Sequence, residues 1–229
     1  MTRTALVVAA HPDDEVLGCG GWMARMADEG WHVHVLILAE GATSRMPTRD
    51  REGDVVLLSE LVLSAQRAGA ILGARSVQLE AFADNRMDGV ELLDVVKRIE
   101  KQVEQLSPEH VLTHHLGDVN VDHAVIHQAV AAACRPLPGS SVRELLYFEV
   151  PSSTEWRPAH SSRAFEPTLF VDVSATLTRK LEALRAYQSE MRPFPHPRSL
   201  EAVEHLARWR GATVGCAAAE SFAIGRLIE

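Results

Sequence analysis

The junction at residues 5–22 constrains this chain more than any other stretch. The apolar run Ala5-Leu6-Val7-Val8 stops at His11-Pro12, passes three consecutive carboxylates, Asp13, Asp14 and Glu15, and continues into Val16-Leu17-Gly18-Cys19-Gly20-Gly21-Trp22. A short valine-rich run ending in such a turn predicts a buried strand that opens into a helix. Pro12 fixes its own φ and pushes His11 toward an extended conformation, so the imidazole is aimed from the strand's carboxyl end. In an open α/β sheet that edge is where ligands bind, because the loops leaving the strands form a crevice there.

The chemistry of these residues points to a cation. Adjacent carboxylates repel one another unless a cation or the positive end of a helix offsets them. A neighbouring imidazole favours a borderline ion such as zinc over magnesium or calcium. His11 and Asp14 are the candidate ligands. An Asp pair after a strand also serves as a helix cap and first-turn acid, and here a second cluster tips the balance: Asp118-Val119-Asn120-Val121-Asp122-His123, with His127 following. His123 and His127, at i and i+4, face the same way on a helix and are spaced to share a metal. Asp122 is placed to cap that helix.

The string Ala10-His11-Pro12-Asp13-Asp14-Glu15 with its glycine pair resembles the motif of the zinc-dependent LmbE-like (PIG-L) N-deacetylases, which include the deacetylase of glycosylphosphatidylinositol synthesis. The 118–123 stretch with His127 resembles that family's second metal motif. Residues 149–156, 195–199 and 219–222 are similar to stretches of a bacterial branch. The resemblance spans essentially the whole chain. It implies a Rossmann-like three-layer α/β domain with a mostly parallel central sheet and helices on both faces. It transfers metal binding to His123 alone of the downstream pair. With His11 and Asp14 this makes three protein ligands for Zn2+, or for iron, with a position left for water. His127 is then buried and hydrogen-bonded, or part of the pocket wall.

The implied reaction is removal of the N-acetyl group from an amino sugar of the N-acetylglucosamine type within a small glycoconjugate. Asp13, beside the ligand Asp14, is the expected general base. One departure stands out. The family places a second His three positions before the metal ligand, thought to stabilise the oxyanion and paired with the intervening Asp122; this chain has Asn120. An amide N–H can donate to an oxyanion but cannot deliver a proton. Another imidazole is therefore expected from the carboxyl-terminal third, with His196 the first candidate.

At 229 residues the chain is long enough for one α/β domain, taken as 1–229, and short for two. A formal charge of -8 without a Lys/Arg block argues against nucleic acid or anionic membrane as the main partner. The three cysteines are widely spaced, which predicts neither a disulfide framework nor a cysteine zinc site. Too few apolar residues precede His11 for a leader or a membrane span, so a reducing cytoplasm is expected. A homo-oligomer stays open.

The remaining pattern alternates strand and helix: helix 18–29, strand 31–38, a charged segment 47–53, helix 54–73, strand 76–79 and a turn-rich loop 84–89. Helix 90–106, strand 110–115, helix 123–134 and strand 142–150 follow. A hydroxyl-rich loop 151–158 carrying Trp156 is a plausible sugar platform. Then come an edge strand at 170–173, helix 174–190 with Arg179 and Lys180 outward, a rigid loop 191–198, helix 200–210 and a small-residue segment at 217–222. Glu220, if buried, needs a partner, with Arg198 or Arg210 the candidates. Two other classes remain: a nucleotide-binding α/β domain, prompted by Gly18-Cys19-Gly20-Gly21, and a non-catalytic metal- or sugar-binding protein on the same scaffold.

Overall fold

The structure, a computed structural model, describes residues 3–45, 49–50, 55–158 and 164–229. Strand β1 (Thr4–Ala9) is its axis, and all but its first residue are buried. Alternate side chains feed two cores: Ala5, Val7 and Ala9 enter one, Leu6 and Val8 the other. A strand covered on both faces carries apolar residues at every position, which is the physical reason for the unbroken run in the sequence.

Helix α1 (Asp14–Asp28) follows, then β2 (His32–Ala39), α2 (Val55–Leu72), β3 (Ser76–Phe82), α3 (Leu92–Leu106), β4 (His110–His114), α4 (Val121–Ala133) and β5 (Glu144–Phe148). The last third adds β6 (Leu169–Asp172), α5 (Leu177–Ala186), α6 (Leu200–Ala212) and β7 (Ala219–Leu227). The strands form one seven-stranded sheet in the order β3-β2-β1-β4-β5-β7-β6. Its first five strands run parallel, and β7 pairs antiparallel with both β5 and β6. Residues of α1, α2 and α5 pack into one core, and those of α3 and α4 into the other. This is the expected three-layer α/β architecture. The order reverses between β1 and β4, so the loops after these two strands flank the topological switch point.

Four expectations need correction. From Ala219 on, the 217–222 segment is the start of a full strand, β7, inserted between β5 and β6. Its Ala, Ser and Gly residues carry little strand propensity, and at Gly225 close packing excludes a side chain: a Cβ there would meet the Tyr147 ring at 2.6 Å. Helix α1 begins at Asp14 rather than at 18 and kinks at Cys19, whose φ is −147°. Lys180 does not face outward: it is buried, donating to Leu17 O at 2.8 Å and pairing with Glu220 at 2.6 Å. Glu220 also accepts from Gly21 N and Trp22 N, at 2.9 and 2.6 Å. The backbone groups freed by the kink thus find partners from α5 and β7. The same contacts remove the basis of the nucleotide-binding reading, because a carboxylate already occupies the amides a pyrophosphate would need. Arg198 and Arg210 lie elsewhere, on Asp13 and Glu149 respectively.

Among the described helices α2 is long and apolar enough to cross a membrane; its Leu61, Ala65, Ala68 and Leu72 are buried in the fold. The charged segment expected at 47–53 lies outside the described residues apart from Arg49 and Asp50.

Candidate active site

Where the chain leaves β1 it turns sharply. Asp14 N donates to His11 O at 3.2 Å, and Asp13 O accepts from Val16 N and Leu17 N. Asp13 takes φ 112°, a conformation L-residues avoid at a cost of about 1–3 kcal/mol. The turn swings the carboxylate of Asp14 back toward His11: its Oδ2 accepts from His11 N at 2.9 Å and lies 3.1 Å from His11 Nδ1. His123, on the first turns of α4, brings its Nε2 to 3.1 Å from the same oxygen. One ligand atom from each of His11, Asp14 and His123 falls within a 4.8 Å cluster. The three residues proposed as ligands therefore converge from the exits of β1 and β4.

Both ring nitrogens of His123 are buried without an aligned hydrogen-bond partner, although each faces a carboxylate. An orphaned nitrogen of this kind, converging with a second imidazole and a carboxylate, fits a divalent cation with a preference for nitrogen and oxygen donors. The surroundings fix which nitrogen faces the centre. His11 Nε2 points away, at 3.1 Å from Asp122 Oδ2 and 3.2 Å from Asp84 Oδ1, leaving Nδ1 on the inside. His123 Nδ1 lies 3.0 Å from Asp118 Oδ2. Asp118 is itself held by Ser153 Oγ, by Thr154 Oγ1 at 2.9 Å and by Asn120 N at 2.9 Å. Carboxylates behind ligating imidazoles set their tautomer and raise their basicity. His114, whose Nε2 accepts from Ala10 N, stacks on His123 with centroids 3.8 Å apart.

The electrostatics follow. Burial alone would lower the His123 pKa, but Asp14 and Asp118 hold it up at about 9. Burial alone would raise Asp118, and His123 with Ser153 keeps it at about 2. Asp13 is raised well above the carboxylate range by burial, with Arg198 opposing. Glu15 is pushed up to about 7 by burial, against the hydrogen bond from Tyr187.

The site opens into a polar cavity of about 160 Å³ whose walls include Asp13, Asn85, Asn120, Ser152, Glu190 and Arg198. Four non-glycine residues with positive φ line it: Asp13, Ala42, Asn85 and Ser152. Strained backbone gathers where function demands a fixed geometry.

Asn120 lines the cavity but also caps α4, its Oδ1 accepting from Asp122 N at 2.9 Å. The cap is Asn120, not Asp122. Asp122 is fully buried behind His11 and accepts from Asn85 N and Met87 N. His196 does not reach the cavity: its Nδ1 accepts from Arg198 N, and its ring lies edge-on to Trp156. Arg198 is the side chain that the 191–198 loop sends inward, with Nη1 3.0 Å from Asp13 Oδ2 and Nε 2.8 Å from Ser152 Oγ. Sequence reasoning missed this contact because nothing local distinguishes an arginine that meets Asp13 across 185 residues. His127 takes the structural option, its Nδ1 3.0 Å from His114 O and its ring over Tyr147. Trp156 stays outside and exposed, while Glu155 binds the amides of Ser152 and Ser153.

Residues 6–134, which contain all three converging side chains, match the profile of the PIG-L family, described as GlcNAc-PI de-N-acetylase. The chain belongs to this family. An uncharacterized deacetylase of Escherichia coli K12, YaiS, is 30% identical over 190 residues, which cover 80% of this chain and 90% of that protein. The 4-oxalmesaconate hydratase of Pseudomonas putida KT2440 is 30% identical over 200 residues, covering 80% of this chain and 72% of the hydratase. Among solved structures, the N,N'-diacetylchitobiose deacetylase of Pyrococcus horikoshii superposes with a TM-score of 0.76. The two are 19% identical, and the match covers 97% of this chain and 83% of that one. The PIG-L profile ends at residue 134, so Arg198, Ser152 and Tyr187 lie beyond the part of the chain it matches.

Proposed function

We propose that this protein is a metal-dependent amidohydrolase that removes the acetyl group from an N-acetylated amino sugar of a small glycoconjugate, with zinc as its ion. The observation that carries the reading is the buried Nε2 of His123, which makes no aligned hydrogen bond and converges with His11 Nδ1 and Asp14 Oδ2 beside the carboxylate of Asp13. The family description and the deacetylases among its relatives support the acetamide. A polar cavity below the usual 300–1,000 Å³ of drug-sized sites suits a single sugar ring, with the rest of the conjugate outside.

His11, Asp14 and His123 would hold the ion. When bound, it supplies Lewis acidity, polarising the substrate carbonyl and easing the loss of a proton from water. The chain's own groups do the rest. Asp13, buried at the cavity wall, takes the proton from the attacking water and returns it to the departing amine. Arg198 fixes the direction of that carboxylate. Asn120 has its Oδ1 committed to the α4 cap and one Nδ2–H to Asn85 Oδ1, so its other Nδ2–H is the donor for the carbonyl oxygen as charge develops. Asp122 and Asp118 orient His11 and His123 and are not themselves reactive. His196, turned toward Trp156, has no part in proton transfer on this reading.

The test is a panel of N-acetylated amino sugars incubated with zinc-loaded and iron-loaded protein and scored for free amine. Asp13→Asn should keep its metal and lose about 10²–10⁴-fold in kcat, the range of general-base catalysis. Full activity in that variant, or no free amine from any substrate, overturns the assignment. A second reading, addition of water to an unsaturated carboxylate, is favoured by the guanidinium of Arg198 at the cavity wall and by the hydratase relative. Hydration of such a compound with no deacetylation would establish it.

A further inference from the structure

Asp13 holds an unfavourable backbone conformation at the start of α1, and besides the local bonds of that turn two side chains from distant parts of the chain bear on it. Its φ of 112° belongs to the residue that caps α1, where an extended φ is usual, and no glycine relieves it. On the side-chain side Arg198 grips Oδ2 at 3.0 Å. On the backbone side Asp13 N donates to Glu15 Oε2 at 3.2 Å. Glu15 is 2% exposed, and the bond to Asp13 is useful only if the carboxylate cannot turn away. What prevents this is Tyr187, the C-cap residue of α5, whose hydroxyl donates to Glu15 Oε1 at 2.6 Å. Tyr187 is fully buried in the core that also holds Ala183, Leu184 and Val203, so its ring has little room to follow a moving carboxylate. A rigid donor on one oxygen leaves the other fixed against the amide of Asp13.

We propose that Tyr187 is a positioning residue for the reaction: acting through Glu15, it holds the backbone of Asp13 so that the carboxylate faces the attacking water. The inference rests on the hydrolytic reading of the site. It assigns a role to a residue 174 positions from Asp13 in the sequence, in the part of the chain outside the matched family region. The competing explanation is that Tyr187 merely satisfies a buried carboxylate. That role would alter stability and leave the chemical step alone.

Tyr187→Phe removes one oxygen and keeps the ring. With a substrate from the panel, kcat should fall 10-fold or more while KM stays within twofold and the bound metal stays at the wild-type ratio. In the Asp13→Asn background, adding Tyr187→Phe should have no further effect on the residual rate, because both changes act on one group. An unchanged kcat in Tyr187→Phe, or losses that multiply in the double variant, overturns the proposal. A crystal structure of Tyr187→Phe provides a readout without turnover: Asp13 should leave positive φ or lose its bond to Glu15, and an unmoved Asp13 counts against the role. Wild-type protein that frees no amine would sink the hydrolytic reading, while the crystallographic arm would still decide the positioning.

Discussion

At the scale of single residues, the centre is governed by two histidines backed by carboxylates. The His123 pKa is raised from 6.5 to about 9, with Asp14 and Asp118 outweighing burial. A raised pKa in the folded state means that, without metal, His123 contributes stability below about pH 6.5 and loses it as the pH rises through about 9. The same proton competes with the ion, so metal affinity should climb with pH up to about 9 rather than level off near 6.5. Chelator competition between pH 6 and 9.5 checks this. Asp118→Asn should move the plateau to lower pH and weaken binding about 10- to 100-fold; a plateau unmoved in the variant would show that Asp118 does not set the basicity of His123.

At the scale of elements, two helix starts build the site. Asn120 combines the cap of α4 with a place on the cavity wall, and the two duties are separable. Serine caps as well as asparagine but has no amide donor at that reach. Asn120→Ser should therefore stay within about 0.5 kcal/mol of wild-type stability and lose about 10²-fold or more in kcat, the effect of removing one oxyanion donor. Equal losses in stability and rate would reduce Asn120 to its capping role. Helix α1 depends on close approach to the sheet: a Cβ on Gly18 would collide with the Phe148 ring. Gly18→Ala should cost about 1–3 kcal/mol in denaturant unfolding. These positions were partly legible in the sequence. The His-Pro turn after a valine run located the first motif, and Asp122 with Asn120 marked the start of α4. The assignment of the cap to Asp122 rather than Asn120 failed because both residue types cap well and only the backbone angles decide between them.

For the whole molecule, the carboxyl-terminal third closes the site and locks it to the first helix. The Lys180–Glu220 pair joins α5 and β7 to backbone groups at the kink in α1, both side chains being buried. Removing one partner strands a charge in the interior, so Lys180→Met should cost about 3–5 kcal/mol, and Lys180→Met with Glu220→Gln should recover part of it. A single-variant loss under 1 kcal/mol by urea unfolding would mean that water relieves the site. Residue order alone determined the alternation of strands and helices and the two clusters of potential ligands, because burial on both faces of a parallel strand and the reach of a turn are local consequences of residue type. Tertiary structure decided which distant side chains meet. Arg198 reaches Asp13, Lys180 reaches Glu220, Tyr187 reaches Glu15, and His196 is left facing Trp156. Those pairings depend on strand order and on the placement of β7 between β5 and β6, which no local pattern encodes.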